Sequence, residues 1–552
     1  MTKFSAWEQL NLAAILVILG FPVLLLLEIT ITRQLHPALV LINLAAASLF
    51  FLIFIYQRSS AKEGLDRIPV FPLLCIFFLQ LIIITAIFSA YLALSDVDPY
   101  HWIKEYNQNF NTGPLNKLPQ RSLFHTLIYT LDQIPGIRAE IIFKYIIPLL
   151  SLLCLIPAWL VARRFRRPTH QILWLLVPLL SPSLIIHSQM GTPQAVLLVL
   201  TIFFVFLLIY SRLTQNRFWH YLAGAIMLLA IPIHGLALLM FTSWLVATAW
   251  RHSKHNYILL LLLPIAILAA PYLKAYLPQV FSDIHLNLSF PATFTTIDNV
   301  PNGWPGLTGL IQYYAFYLGL VVPVILLINI FLFFKHAGYR RQITQLIDNS
   351  STLTLVIMFA GFFSIAEVLP RFFNIVILPD RAWLFADLAA TVFFLPLFQY
   401  RSDKNKFLSF LLILFFIINI GGALYINNLK KNLLPDYAVN AALWLNSNLP
   451  ANSAVMLNRK PEYLDLYTAR ISLIQLPDDF FCLGSDDIVA FSQQEPTLYL
   501  LFLKPNTSSP YLQRPWHEPL DTQCSKPGPG NELGRFQQIY NDGGQAIIWK
   551  IL

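Results

Sequence analysis

Two aspartates, Asp96 and Asp98, stand in the run SDVDPYHW (Ser95–Trp102), directly after an apolar stretch of about 20 residues, long enough to cross a bilayer. Carboxylates at the edge of a hydrocarbon slab stay hydrated and ionised, yet remain within reach of a substrate that arrives through lipid. Such a pair suits base or cation-binding chemistry at a membrane surface. Two further polar groups, His234 in IPIHGLA and Asp387, fall inside apolar runs, where a charge costs roughly 3 kcal/mol and calls for a partner. For His234 the reading is a neutral imidazole bonded to a neighbouring helix, and for Asp387 a bond to a facing Ser, Tyr or Arg.

The elements that must position these residues are transmembrane helices. The 552 residues are 57% hydrophobic and only 12% charged, against roughly 25% charged in soluble domains. The net charge of +9 comes from short Lys/Arg clusters between apolar runs, so it acts as a topology determinant rather than as a nucleic-acid surface. Apolar runs give about thirteen spans, among them runs opening at Val70, Ile141, Gln171, Gln194, Thr352, Ala382 and Phe407. The seventh and eighth, from Tyr221 and Leu236, could be one broken pair, because Pro232, His234 and Gly235 interrupt the stretch.

RRFRR (Arg163–Arg167), RHSKH (Arg251–His255), KHAGYRR (Lys335–Arg341) and RSDKNK (Arg401–Lys406) alternate to one side, which the positive-inside rule makes the cytoplasm. Parity places the N-terminus on that side, and puts SDVDPYHW and everything after about Asn427 on the opposite, extracytoplasmic face. The opening MTKFSAWEQL lacks a small-residue cleavage site and reads as a retained anchor. Cys75 and Cys154 fall in spans as packing residues. Cys482 and Cys524 both fall in the exoplasmic tail, where an oxidising compartment would allow a disulfide.

The chain therefore divides into a multi-span membrane domain, residues 1–427, and an exoplasmic domain, residues 428–552. The latter reads as small α/β. DYAVNAALWLNSNLP has helical spacing and stops at proline, SAVMLN is a short strand, TLYLLFL a central strand and QAIIWKIL a closing strand. A Walker loop, a GxSxG elbow, an HExxH helix and paired CxxC motifs are all missing, which leaves nucleotide hydrolysis, serine hydrolysis and zinc chemistry without support.

DPYH (Asp98–His101), the amphipathic run PQRSLFHTLIYTLDQI (Pro119–Ile134), PDRAWLFADLAATVFFLPL (Pro379–Leu397) and DYAVNAALWLNSNLPANSAVMLN follow one another in a telling order. In that order the chain resembles the polyprenyl-phosphate-dependent glycosyltransferases of the GT-C superfamily, and most of all the catalytic subunit of oligosaccharyltransferases. The resemblance implies a GT-C-like polytopic helical fold and transfer of a sugar from a polyprenyl-linked donor, on the outer face, to a glycan, lipid or protein acceptor. It implies Asp98 as base or metal ligand with Asp96 as helper, and Arg381 and His101 at the donor phosphate. It also implies a divalent cation, Mg or Mn, or the acceptor near Asp298 of TTIDN or Glu367 of SIAE.

Two departures stand out. HSQMGTPQ (His187–Gln194) lacks the carboxylates that the family places in its second outer loop, and NRKPEYLDLYTAR (Asn458–Arg470) stands where oligosaccharyltransferases carry WWDYG. Recognition of Asn-x-Ser/Thr acceptors is therefore unsupported. The competing readings are a GT-C-fold membrane protein without catalysis, and a solute or lipid transporter, which would place its ionisable groups at the midplane of broken helices.

Overall fold

The computed structural model describes residues 6–15, 70–89, 97–110, 122–132, 139–165, 167–252, 314, 318–373, 379–400, 406–429, 436–457, 464–468, 470–475, 499–503, 536–544 and 546–551. The chain folds as two compact units. One holds most of the chain up to Asn427; the other holds Asn428–Leu552 with the end of helix Val70–Ser89 and the start of helix Val97–Phe110.

The larger unit is helical. Among the described residues four helices have the length and composition to cross a membrane: Ala139–Ala162, Pro193–Thr214, Ser350–Phe373 and Arg381–Phe398. Shorter apolar helices include Leu73–Ala86, Leu236–Trp250, Val321–Lys335 and Phe410–Leu424. The chain is thus a polytopic helical membrane protein.

Proline shapes these spans. Its ring clashes with the carbonyl four residues back and removes one ladder bond, so the preceding turn must widen or tighten. Pro148 follows the π turn Ile142–Ile146, and Pro370 follows the π turn Ser364–Val368. Pro157 and Pro396 follow the 3-10 turns Leu150–Cys154 and Thr391–Phe393. The run expected as one span from Gln171 is broken for the same reason. It forms helix Pro168–Leu175, a 3-10 turn around Pro178, and helix Pro182–Ser188, whose first turn is capped by the Ser181 hydroxyl accepting from the Leu184 amide at 3.2 Å.

The expected seventh and eighth spans form a hairpin of Arg217–Ala230 and Leu236–His252. Its arms lie antiparallel, since the Trp244 indole donates to the His220 carbonyl at 3.0 Å and His220 Nε2 meets Thr248 Oγ1 at 2.9 Å. At the turn, His234 Nδ1 accepts the Leu236 amide at 3.3 Å. This bond is a local cap, because the Leu236 amide opens a helix and has no carbonyl a turn earlier to take it.

Among the described residues, arginines of the RRFRR cluster mark one end of the unit. The Tyr210 hydroxyl accepts from Arg163 at 3.2 Å and Arg164 at 2.7 Å, and donates to Glu8 at 3.0 Å. Ser351 at the start of span Ser350–Phe373 donates to Ser211 at 3.3 Å, which puts Arg212 and Arg217 at this end too. Cys154 is buried as expected, but Cys75 is exposed. It shares the outer face of its helix with Leu74, Phe78 and Ile82, a face that lipid rather than protein would cover.

The smaller unit is α/β. Strands β1 (Ala454–Leu457), β2 (Ser472–Gln475), β3 (Tyr499–Leu503), β4 (Phe536–Asp542) and β5 (Ala546–Ile551) form one sheet in the order β2-β1-β3-β5-β4. β1 pairs parallel with β2 and β3, whereas β5 is antiparallel to β3 and β4. TLYLLFL supplies the central strand β3, as expected, and QAIIWKIL supplies β5, an inner strand. The β4–β5 hairpin turns on Gly543 and Gly544, at φ +56° and +76°, the left-handed region that an L side chain resists. Helix Asp436–Asn448 packs on the sheet through Trp444, whose ring lies 5.3 Å from that of Tyr540.

The hairpin gives a direct test of packing in the larger unit. A Cβ on Gly224 would lie 2.4 Å from the Trp244 ring. Gly224→Ala is expected to lower stability by about 1–3 kcal/mol, seen as a lower apparent melting temperature in detergent, whereas an unchanged melt would show that Trp244 moves freely.

Candidate functional site

Glu367 lies in the π turn Ser364–Val368, and the turn after it carries Pro370 and Arg371. The Glu367 carboxylate is buried, 8% exposed, and accepts three short bonds. Its Oε1 takes the Tyr314 hydroxyl at 2.6 Å and the Trp383 indole N–H at 2.7 Å, while Oε2 takes Arg371 Nε at 2.6 Å. Arg371 Nη2 also donates to the Tyr314 hydroxyl at 2.6 Å, closing a ring of polar contacts. Charge-assisted bonds of this kind offset the desolvation of a carboxylate that would otherwise be costly to bury.

Spans Ser350–Phe373 and Arg381–Phe398 hold this ring by packing antiparallel. Ring pairs Phe359–Phe393, Phe362–Phe385 and Phe363–Trp383 mark the seam, at 5.6, 5.2 and 5.5 Å. Ser351 begins at the basic end and Glu367 follows 16 positions later, about 24 Å along a helix. The cluster is therefore at the opposite end, and Arg381, two residues before Trp383, is at that end with it. The structure thus brings two of the expected residues, Glu367 and Arg381, to one junction and adds Arg371, Tyr314 and Trp383. The spacing Glu367-x-x-x-Arg371 was the available sequence signal, since residues four apart on a helix meet.

Glu367 was expected to hold a metal or acceptor. In this structure its Oε1 accepts two donors and its Oε2 one, which compensates its burial. Its effect is to fix the Arg371 guanidinium.

A second group lies at the same end. Helix Val97–Phe110, whose first turn with Asp98 belongs to the smaller unit, buries Trp102, Ile103 and Tyr106, and the Trp102 ring lies 6.3 Å from that of Phe124 in the amphipathic helix Ser122–Asp132. Phe124 in turn meets Phe143 of the π turn at 5.8 Å. Tyr106 donates to Asp132 at 2.8 Å, and burial first, then Asp132, raises its phenol well above the ordinary range. Glu105 stands between His125 at 3.5 Å and His101 at 3.9 Å, so the exposed His101 meets a carboxylate within its own helix.

The turn HSQMGTPQ packs behind that π turn. A Cβ on Gly191 would lie 2.3 Å from the Phe143 carbonyl oxygen, which leaves room only for glycine. Thr192 caps span Pro193–Thr214 by accepting from the Ala195 amide at 3.2 Å, and Gln189 and Gln194 are buried beside it. Neutral amides therefore fill this turn.

Asp96, Asp298, Cys482 and Cys524 lie outside the described residues. Among the described residues no group of three or more His, Cys, Asp or Glu is placed to hold a metal ion. The expected cation ligands Asp96 and Asp298 fall outside the described residues, as does the side chain of Asp98, and the turn HSQMGTPQ adds no carboxylate. Asp387 is 1% exposed and bonded to Ser181 at the helix break, its Oδ2 having no partner among the described residues.

No protein-family model and no curated protein matches the chain. Among solved structures it is similar to ArnT from Cupriavidus metallidurans bound to undecaprenyl phosphate, with 12% identity and a TM-score of 0.43 over 88% of this chain and 98% of that one. The apo state of that protein aligns at 11% identity and a TM-score of 0.45, over 87% and 97%.

Removing the charge of Glu367 would leave the half-buried Arg371 without its carboxylate. Glu367→Gln is expected to cost on the order of 3 kcal/mol, and in a cycle with Arg371→Met the two losses should not add. Denaturant titration of the four proteins in micelles reads both, and additive losses would mean that the two side chains act independently.

Proposed function

We propose that this chain is a membrane glycosyltransferase that moves a sugar from a polyprenyl-phosphate donor to an acceptor hydroxyl at the membrane face opposite its basic end. The observation that carries the reading is the ring at Glu367, which fixes a guanidinium at the same junction as Arg381. Two arginines at a span end suit a lipid-borne phosphate, because the planar fork donates to phosphate oxygens in pairs and stays charged at any working pH. The DPYH context of Asp98, in the first turn of its helix, and the buried face of helix Ser122–Asp132 support it further.

In this reading Asp98 takes the proton of the acceptor hydroxyl as its oxygen attacks the anomeric carbon. The carbon–oxygen bond to phosphate breaks, and the departing phosphate keeps the electron pair, stabilised by Arg371 and Arg381. Tyr314 and Trp383 serve as positioning residues through Glu367.

A second reading, a transporter, rests on Asp387. A buried carboxylate beside a broken helix is the arrangement by which transporters hold a coupling ion or solute. That reading expects solute flux in vesicles and no covalent transfer.

The deciding assay is transfer of labelled sugar from polyprenyl-phosphate sugars by purified protein. Asp98→Asn should slow turnover at least about a hundredfold while leaving binding of polyprenyl phosphate intact. Transfer at the wild-type rate would remove Asp98 from the chemistry, and donor binding without any transfer would favour the non-catalytic alternative.

A further inference from the structure

The basic end of the membrane unit carries a corner with unengaged charge. Helix Val321–Lys335 runs into helix Ala337–Ile347 across His336, whose extended backbone, φ −128° and ψ 114°, turns the chain. The second helix is held by its inner face. Tyr339 is fully buried and donates to Asn329 at 2.5 Å, Asn329 donates on to the Phe393 carbonyl at 3.3 Å, and Leu346 is buried one face-repeat later. This clamp leaves Arg340 and Arg341 exposed. Neither guanidinium has a hydrogen-bond or ion-pair partner among the described residues.

The depth of the corner is set by its neighbour. Leu327, Ile330, Phe331 and Phe334 of helix Val321–Lys335 are 65%, 53%, 59% and 76% exposed, a ladder that only hydrocarbon would cover. It ends at Lys335, whose ammonium lies 5.2 Å from the Phe331 ring centre. Three cations therefore follow the last lipid-facing aromatic, at the level where headgroup phosphates begin. The described acids at this end are Glu8, bonded to Tyr210, and Asp348 beyond the far end of the helix.

We propose that the outer face of helix Ala337–Ile347, together with Lys335, binds the phosphates of acidic phospholipids. Charge complementarity and depth select this occupant: guanidinium forks pair with phosphate oxygens, and the adjoining aromatic ladder accepts the acyl chains. Tyr339 and Leu346 hold the charges in place, so the surface is formed before lipid arrives.

The test uses the full-length protein, purified and delipidated in a neutral detergent, titrated with short-chain phosphatidylglycerol and with phosphatidylcholine of the same chains, bound lipid being counted by native mass spectrometry. Phosphatidylglycerol should be preferred, and the preference should fall about fivefold for each of Arg340→Gln and Arg341→Gln. It should also weaken near 1 M salt, where the screening length is about 3 Å. The pair Arg212→Gln and Arg217→Gln removes equal charge elsewhere on that end and should leave the preference in place. An equal loss in that control would reduce the effect to net charge, and an undiminished preference in the Arg340 and Arg341 variants would overturn the proposal. So would a wild-type protein that binds both lipids alike, which would turn the search toward an acidic protein partner.

Discussion

A polar group taken out of water into hydrocarbon must find its partners within the protein, and this constraint organises the membrane unit from its backbone outward. Each described break in its spans occurs beside a proline, where one ladder bond is already lost. The backbone adjusts locally by a π or 3-10 turn, so that the remaining amides keep carbonyls within reach. The breaks are thus the places where side chains are re-aimed, and two of them lie under the groups that could do chemistry.

The same rule separates the two ends of the bundle. At one end arginines share the Tyr210 hydroxyl or project outward, where water or headgroups hydrate them. At the other, a single carboxylate is withdrawn from water and compensated by a phenol, an indole and a guanidinium. The first arrangement tolerates exchange of partners. The second does not, because each donor removed leaves a charge stranded, and that rigidity is what a site needs to hold a phosphate in one place.

The apolar spans, the basic clusters and the composition of the smaller unit were legible because each is a local, repeated signal. TLYLLFL reads as an inner strand from its unbroken apolar run, and PQRSLFHTLIYTLDQI reads as amphipathic from its spacing. The run from Gln171 was misleading, since composition is blind to how a chain meets Pro178 and Pro182. Cys75 was assigned to packing because the face of a uniformly apolar helix cannot be read from its sequence. Glu367 was found by its letters, but its partners lie 53 positions upstream and 16 downstream in the chain, out of reach of any local pattern.

The sequence by itself determined that this is a polytopic membrane protein with a small α/β unit, because burial in lipid demands long apolar helices whatever their neighbours are. It also marked the acids and arginines at span ends, since charge is excluded from the slab between. Only the tertiary structure decided which of them meet. Tyr314, Glu367, Arg371 and Trp383 come together through the antiparallel packing of two spans and a π turn, and contacts between residues so far apart in the chain carry no signature in a single sequence.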